Sequence, residues 1–212
     1  MKHLKIPKPT VKRLAIYYRC LVKMKENGTE KTSSKEISEA LGLKSTQVRK
    51  DLSYFGEFGK RGVGYDVEKL AFKLKEILGL KRNWNIAIVG AGNLGSAIAN
   101  YAGMEKNGFK VVAAFDVDNN KIGKMIMPGV NVSNISDMKN KLEEENVEIA
   151  ILAVPASSAQ KTAEELVSYG IHGILNFTPT SLSLPEEISV EDVDFVISLK
   201  SLTFEISTGN EE

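Results

Sequence analysis

The sequence predicts an α/β chain of two domains, a small and mainly helical one followed by a doubly wound parallel sheet. Three observations predict it. Charge is divided unevenly: 20 of the 28 Lys and Arg, but only 9 of the 27 Asp and Glu, precede Asn85. The first part therefore carries +11 and the rest −10. Before Trp84 the apolar residues recur at helical spacing and then meet a glycine-rich reversal. Beyond it, short apolar runs alternate with helical segments, the pattern of strands covered on both faces.

The 212 residues suit one large domain or two small ones. A hydrophobic content of 42% with 26% charged residues is that of a soluble globular chain. No apolar run approaches the roughly 20 residues that span a bilayer. The start, Met1 to Pro7, lacks the apolar core of a secretory signal, so a cytoplasmic location and no membrane partner are expected. Cys20 is the single cysteine, which excludes an intrachain disulfide and a two-thiol switch. Only His3 and His172 accompany it, too few ligands for a His/Cys zinc site, and no metal is expected. Beside Tyr17, Tyr18 and Leu21, Cys20 reads as a packed thiol.

Residues 1–82 form the first predicted domain. Val11, Leu14, Tyr18, Leu21 and Val22 make one stripe of a helix that ends at Asn27-Gly28. Ser33-Ser34-Lys35-Glu36 has the form of a capping box. The short helix behind it turns Ile37, Ala40 and Leu41 inward and stops at Gly42. Ser45 caps a third helix, with Val48, Leu52 and Phe55 on one face. Helix, short glycine turn and helix have the spacing of a DNA-reading helix-turn-helix. Thr46, Arg49, Lys50 and Ser53 then project away from the core, with Ser45 and Gln47 near the helix start. Arg can bond guanine through two donors, Gln can read adenine, and Lys can reach phosphate or guanine.

Phe58-Gly59-Lys60-Arg61-Gly62-Val63-Gly64-Tyr65 follows. Lys60, Arg61 and Gly62 at the tip of a glycine-rich reversal read as a β-hairpin wing, with Arg61 suited to a narrow minor groove. A winged helix is the resulting expectation; a plain exposed hairpin is the alternative. Val67, Leu70, Leu74, Ile77 and Leu78 stripe a further helix that ends at Gly79. Lys81-Arg82-Asn83 is a short linker into the second domain, residues 83–198.

There, the run Asn85–Val89 leads into Gly90-Ala91-Gly92-Asn93-Leu94-Gly95 and a helical segment to Tyr101. Between a strand and a helix, this spacing is a dinucleotide-binding fingerprint of the Rossmann type. Gly90 makes the turn, Gly92 admits a pyrophosphate, and Gly95 lets helix and strand approach. A second strand, Lys110–Phe115, ends at Asp116, followed by Val117. A carboxylate about 20 residues past the glycines can accept from the adenosine ribose and repels a 2′-phosphate, so NADH and NAD+ are expected rather than their phosphorylated forms. Lys121–Ser133 reads as an irregular crossover. Glu148–Val154 is a buried-type strand ending at Pro155, a helix runs from Ser158 to Tyr169, and Gly173–Phe177 is another strand. Val193–Ile197 reads as the last. Ligands of such sheets lie beyond the strand ends, which nominates Pro155, Phe177, Thr178 and Pro179 as pocket wall.

After Ile197 no segment is long enough for a catalytic domain, and neither histidine is placed as a general acid. A nucleotide pocket joined to a DNA reader suggests that the cofactor is a signal and is not consumed. The alternatives are an NAD-dependent oxidoreductase with a basic accessory domain, and a coenzyme A-binding domain, against which Asp116 argues.

The chain resembles the redox-sensing transcriptional repressors of the Rex family across nearly its whole length. The residues that carry this are Thr32-Ser33-Ser34, the run from Gln47 to Gly56, Arg61-Gly62-Val63-Gly64-Tyr65, the run from Gly90 to Gly95, Phe115-Asp116-Val117-Asp118, and the run from Gly173 to Phe177. The resemblance implies a homodimer whose C-terminal helices swap between subunits, here from residues 199–212, where Leu199, Leu202, Phe204 and Ile206 are apolar. It implies an operator bound without NADH and released as NADH rises. By the same resemblance, Arg19, Tyr101 and Asp194 link the nicotinamide state to domain arrangement, with Asp194 coming from the other subunit.

Overall fold

The structure, a computed structural model, describes residues 6–60 and 63–209. The chain divides into two compact units, Met1–Arg82 and Asn83–Glu212.

The first unit opens with α1 (Lys8–Glu26), entered through Pro7 with a second proline in its first turn, where a missing N–H breaks no helical bond. Thr10, Leu14, Tyr17 and Leu21 are its buried residues. The inward stripe is therefore turned from the expected one: Tyr17 replaces Tyr18 at the centre, and Val11 is exposed. β1 (Lys31–Thr32) leads to α2 (Ser34–Leu41), whose capping box is complete: the Glu36 amide donates to Ser33 Oγ over 3.2 Å, and the Ser33 amide donates to Glu36 Oε2 over 2.7 Å. Ile37 and Ser38 face inward, not Ala40, and the buried Ser38 hydroxyl is satisfied by donating to the Lys35 carbonyl over 2.7 Å. In α3 (Ser45–Ser53) the capping position is Lys44; Ser45 is already helical and caps nothing.

β2 (Gly59–Lys60) and β3 (Gly64–Asp66) pair antiparallel, and β3 also pairs with β1, so the hairpin is the far side of a three-stranded sheet. Arg61 and Gly62, the expected wing tip, lie outside the described residues. Asp66 then caps α4 (Val67–Ile77) by accepting from the Lys69 amide over 2.9 Å. Leu14, Tyr17, Leu21, Ile37, Val48, Leu52, Leu70 and Leu74 close one core.

The second unit runs β4 (Trp84–Val89), α5 (Asn93–Ala99), α6 (Gly103–Lys106), β5 (Phe109–Asp116), β6 (Met125–Met127) and β7 (Val130–Asn134). A 3-10 turn (Ile135–Asp137), α7 (Met138–Glu144), β8 (Ile149–Leu152), α8 (Ala156–Ser168), β9 (Gly173–Asn176), β10 (Ser189–Asp192) and α9 (Phe195–Gly209) complete it. The sheet order is β10-β9-β8-β4-β5-β7-β6, parallel except for the antiparallel edge strand β6. Side chains alternate across it. Ala87 and Val89 pack with Ala159, Ala163 and Leu166 of α8 and Met138 and Leu142 of α7, while Ile86 and Ile88 enter a second core with Ala91 and Ala99. The expected doubly wound sheet is present.

Three expectations for the second unit need correction. The region Lys121–Ser133 holds β6 and the start of β7; Pro128-Gly129 between two short runs hides a hairpin from a search for apolar strands. The helix after the glycine turn stops at Ala99, two residues short of Tyr101. The last strand is β10, and Val193–Ile197 is not a strand: the Asp194 carboxylate accepts from the Val196 amide over 2.8 Å and starts α9.

Candidate functional site

α3 presents Thr46, Arg49, Lys50 and Ser53 to solvent, with Ser45 and Gln47 half-buried. Ser53 Oγ donates to the Lys50 carbonyl, so its hydroxyl is partly occupied within the helix. A groove of about 980 Å³ opens beside Arg49 between the start of α2 and the hairpin, lined by Lys31, Ser33, Ser34, Lys35 and Tyr65. It is concave, basic and flanked by hydroxyls, as a backbone phosphate requires. The Lys60 backbone belongs to β2.

Under α3 lies a residue that the sequence reading missed. Asp51 is 0% exposed and accepts five hydrogen bonds: two from Arg13 (Nε over 2.6 Å, a second guanidinium nitrogen over 2.8 Å), and one each from Tyr17 Oη (2.8 Å), Thr10 Oγ1 (3.2 Å) and Gln47 Nε2 (2.9 Å). Burial alone would raise this carboxyl, but the donors of Arg13, Tyr17 and Gln47 outweigh it and hold it below the usual carboxylate range. Burial pushes the Tyr17 phenol well up, and its bond to Asp51 acts in the same direction. Gln47 is therefore drawn toward the buried face of its helix.

In the second unit the expected nucleotide-binding residues stand at the C-terminal ends of β5, β4, β8 and β9, four neighbouring strands. Gly90 has φ +100°, and a Cβ there would meet the Ala153 carbonyl oxygen at under 3.0 Å. A Cβ on Gly95 would run equally close to the Gly90 carbonyl. Gly92 differs: it precedes α5 with φ −80°, and nothing lies within 4 Å of where its Cβ would be. The turn is thus packed on its inner side at Gly90 and Gly95 and open at Gly92, the shape of a cradle for a diphosphate. Ala91 is buried, and Asn93 and Leu94 are exposed beside the opening.

Asp116, 8% exposed, is tied to that turn. Its Oδ2 accepts from the Ala91 amide (2.8 Å) and from Lys121 Nζ (2.9 Å), and its Oδ1 accepts from the Asp118 amide (2.9 Å). Burial would raise the carboxyl; the Asp118 amide, Lys121 and the Ala91 amide more than offset this and keep it ionised. Oδ1 retains a lone pair for a further donor such as a ribose hydroxyl. Val117 beside it is 70% exposed. On the other flank Pro155 is exposed at the start of α8, Phe177 is half-buried, Thr178 is buried and Pro179 is exposed. Asn176, fully buried, holds this turn: its Oδ1 accepts from the amide and hydroxyl of Thr178, and its Nδ2 donates to the Thr180 carbonyl and to Asp192 Oδ1. The glycine turn, Asp116 and the Pro155–Pro179 wall thus share one sheet edge.

The three residues expected to read the nicotinamide state come from separate parts of the chain. Arg19 is exposed on α1 in the first unit. Tyr101, 67% exposed, lines a cleft of about 810 Å³ with Met104, Phe109, Met127 and Pro128. Asp194 caps α9, and among the described residues nothing bonds it to Tyr101. No group of three His, Cys, Asp or Glu among the described residues could hold a metal ion, and no helix is long and apolar enough to cross a membrane.

A winged helix-turn-helix fused to a nucleotide-cradling sheet defines a ligand-responsive transcription regulator. Residues 5–53 match the family described as putative DNA-binding protein N-terminus, and residues 81–180 match the CoA binding domain family. The redox-sensing transcriptional repressor Rex of Thermotoga petrophila is 52% identical over 97% of this chain and 98% of its own length. That of Thermosipho africanus is 50% identical over 98% and 99%. Among solved structures, RSP in complex with β-NAD+ and operator DNA superposes with a TM-score of 0.90 at 37% identity, covering 97% of this chain and 94% of RSP. RSP in complex with β-NADH gives 0.88 at 35% identity, with 97% and 96% covered. The chain belongs to the Rex family of redox-sensing transcriptional repressors.

Proposed function

We propose that this chain binds operator DNA as a homodimer in the cytoplasm and releases it when NADH occupies the glycine turn, so that transcription follows the NADH/NAD+ ratio. The observation that carries this reading is the open cradle at Gly92, joined through the Ala91 amide to Asp116, in a chain whose other unit presents Arg49 and Lys50 on a helix-turn-helix. Gly90 to Gly95 hold the diphosphate, Asp116 and Val117 the adenosine end, and Pro155 and Phe177 to Pro179 form the wall. Arg19, Tyr101 and Asp194 report the nicotinamide state. On the DNA side, Ser45, Thr46, Arg49, Lys50 and Ser53 face the operator, and Lys60, Arg61 and Gly62 are further DNA contacts. NADH and NAD+ act as ligands and are not turned over, in keeping with relatives that are repressors.

Discrimination follows from charge. Oxidised nicotinamide is a cation and the reduced ring is neutral, so an apolar, closed pocket disfavours NAD+ by the cost of burying that charge. If NADH prefers the arrangement in which two recognition helices mismatch their half-sites, it lowers DNA affinity, and DNA lowers NADH affinity by the same factor. Couplings of this kind are on the order of 1–3 kcal/mol. Titrating NADH and NAD+ separately against operator binding tests the reading: NADH is expected to release DNA at concentrations where NAD+ does not, and equal effects would exclude redox sensing.

The match to the CoA binding domain favours a second reading, coenzyme A as ligand. Coenzyme A carries a phosphate on the adenosine ribose, which Asp116 would repel. Asp116→Asn is expected to weaken NADH roughly 10- to 100-fold through loss of a charge-assisted hydrogen bond, and to narrow its advantage over NADPH. Calorimetric titration of the wild type and the variant with NADH, NADPH and coenzyme A reads this directly. Tighter binding of coenzyme A than of NADH by the wild type would reverse the assignment.

A further inference from the structure

Gln47 lies in α3 near the residues that face solvent, yet its amide ends on a carboxylate that no solvent reaches. We infer that Asp51 is a positioning residue for operator readout, that it fixes the pose of α3 against α1, and that Gln47 belongs to this positioning network and reads no base. The inference rests on the DNA-binding function proposed above and deepens it.

Asp51 is anchored from two directions. From α1, Arg13 grips both carboxylate oxygens while Tyr17 and Thr10 each bond one of them. From α3, Gln47 one turn earlier bonds Oδ1. Two-point pairing of a guanidinium with a carboxylate fixes direction as well as distance. Val48 and Leu52 on the same face of α3 are apolar and fill a core, and apolar contacts tolerate rotation and sliding more readily than a set of directional bonds. The network therefore determines how α3 is rotated about its axis, and with it where Thr46, Arg49 and Lys50 meet the groove. A buried carboxylate holds its donors more strongly than solvent competes for them. Gln47 in particular is held on this face by its 2.9 Å bond to Oδ1, on the carboxylate that also takes the α1 donors. Sequence is then read from α3 by Thr46, Arg49 and Lys50.

The test uses the full chain and a library of duplexes with a randomised central region, selected to give the sequence that the wild type enriches. The enriched duplex and an unselected duplex are then compared for affinity. Gln47→Ala is expected to lower the ratio of enriched to unselected affinity, as loss of any Asp51 donor should, while still enriching the same base at every position. Tyr17→Phe removes one donor from Asp51 at a side chain that is 1% exposed and touches no DNA. It is expected to lower the ratio of enriched to unselected affinity by about 2- to 30-fold, the range seen when a residue acts through a neighbour. A purely structural role for the network would reduce the folded fraction and leave that ratio unchanged, which would overturn the inference. Loss of preference at one base pair in Gln47→Ala would also overturn it, and decides the matter alone should Tyr17→Phe not fold. A wild type that enriches no sequence would remove the DNA-reading function itself, and the inference with it.

Discussion

Gly90→Ala and Gly92→Ala, two residues apart in one motif, are expected to fail in opposite ways. At Gly90 the backbone sits at φ +100°, where a Cβ is strained, and that Cβ would press on the Ala153 carbonyl, which belongs to the backbone and cannot rotate away. Backbone strain of about 1–3 kcal/mol adds to an overpacking cost of similar size. The second unit should therefore lose on the order of 2–6 kcal/mol, enough to consume much of a domain's margin. At Gly92, φ is −80° and the space around a Cβ is empty, so alanine fits the free protein and its melting temperature should hardly move. The same methyl occupies the volume into which a diphosphate must come, so NADH binding should be lost. Calorimetric melting with and without NADH separates the two. Wild-type stabilisation by NADH in Gly92→Ala would show that the diphosphate lies elsewhere.

That contrast also marks what could be read from the sequence. The spacing Gly90-x-Gly92-x-x-Gly95 between an apolar run and a helix identified the turn, and the interval to Asp116 placed a carboxylate at the end of the next strand, though not its bond to the Ala91 amide. The capping box at Ser33 and Glu36 was legible because both partners lie within one helical turn. Residues that act across the chain were not legible. Asp51 meets Arg13 at a separation of 38 residues and Thr10 at 41, and no local pattern records such a pair. A signal was present, however: Asp51 follows Val48 by three residues and precedes Leu52, so a charge stood on the apolar face of a helix and demanded a partner. Asn176 sent the same signal from within the apolar run Gly173–Phe177. Lys121 sent none beyond its nearness to Asp116. The end of the sheet was misread because Val193, Phe195, Val196 and Ile197 suit a strand by residue type, whereas the cap at Asp194 commits them to a helix.

That helix carries the second large expected effect. Every described side chain from 195 to 208 is exposed, and Phe195, Val196, Ile197, Leu199, Leu202, Phe204 and Ile206 are large and apolar. Only Lys200 and Glu205 are charged, so the helix is apolar around most of its girth and lacks the single stripe of a surface helix. A helix of this kind belongs inside something. If a second copy covers it and receives the reciprocal helix, the two together bury apolar surface worth on the order of 10–20 kcal/mol. Association costs about 4–15 kcal/mol, which this burial exceeds over most of the two ranges, so exchange of α9 would contribute the larger part of what holds a dimer. Ending the chain after Asp194 should then give a monomer in sedimentation equilibrium while leaving the melting of the remaining sheet nearly unchanged, since α9 covers little of it. Affinity for a duplex with two half-sites should fall by about 10²- to 10⁴-fold, because the second half-site is no longer held at high effective concentration. Affinity for a single half-site should change little. A full-length chain that sediments as a monomer at micromolar concentration would contradict this, and would leave the apolar helix in need of another partner.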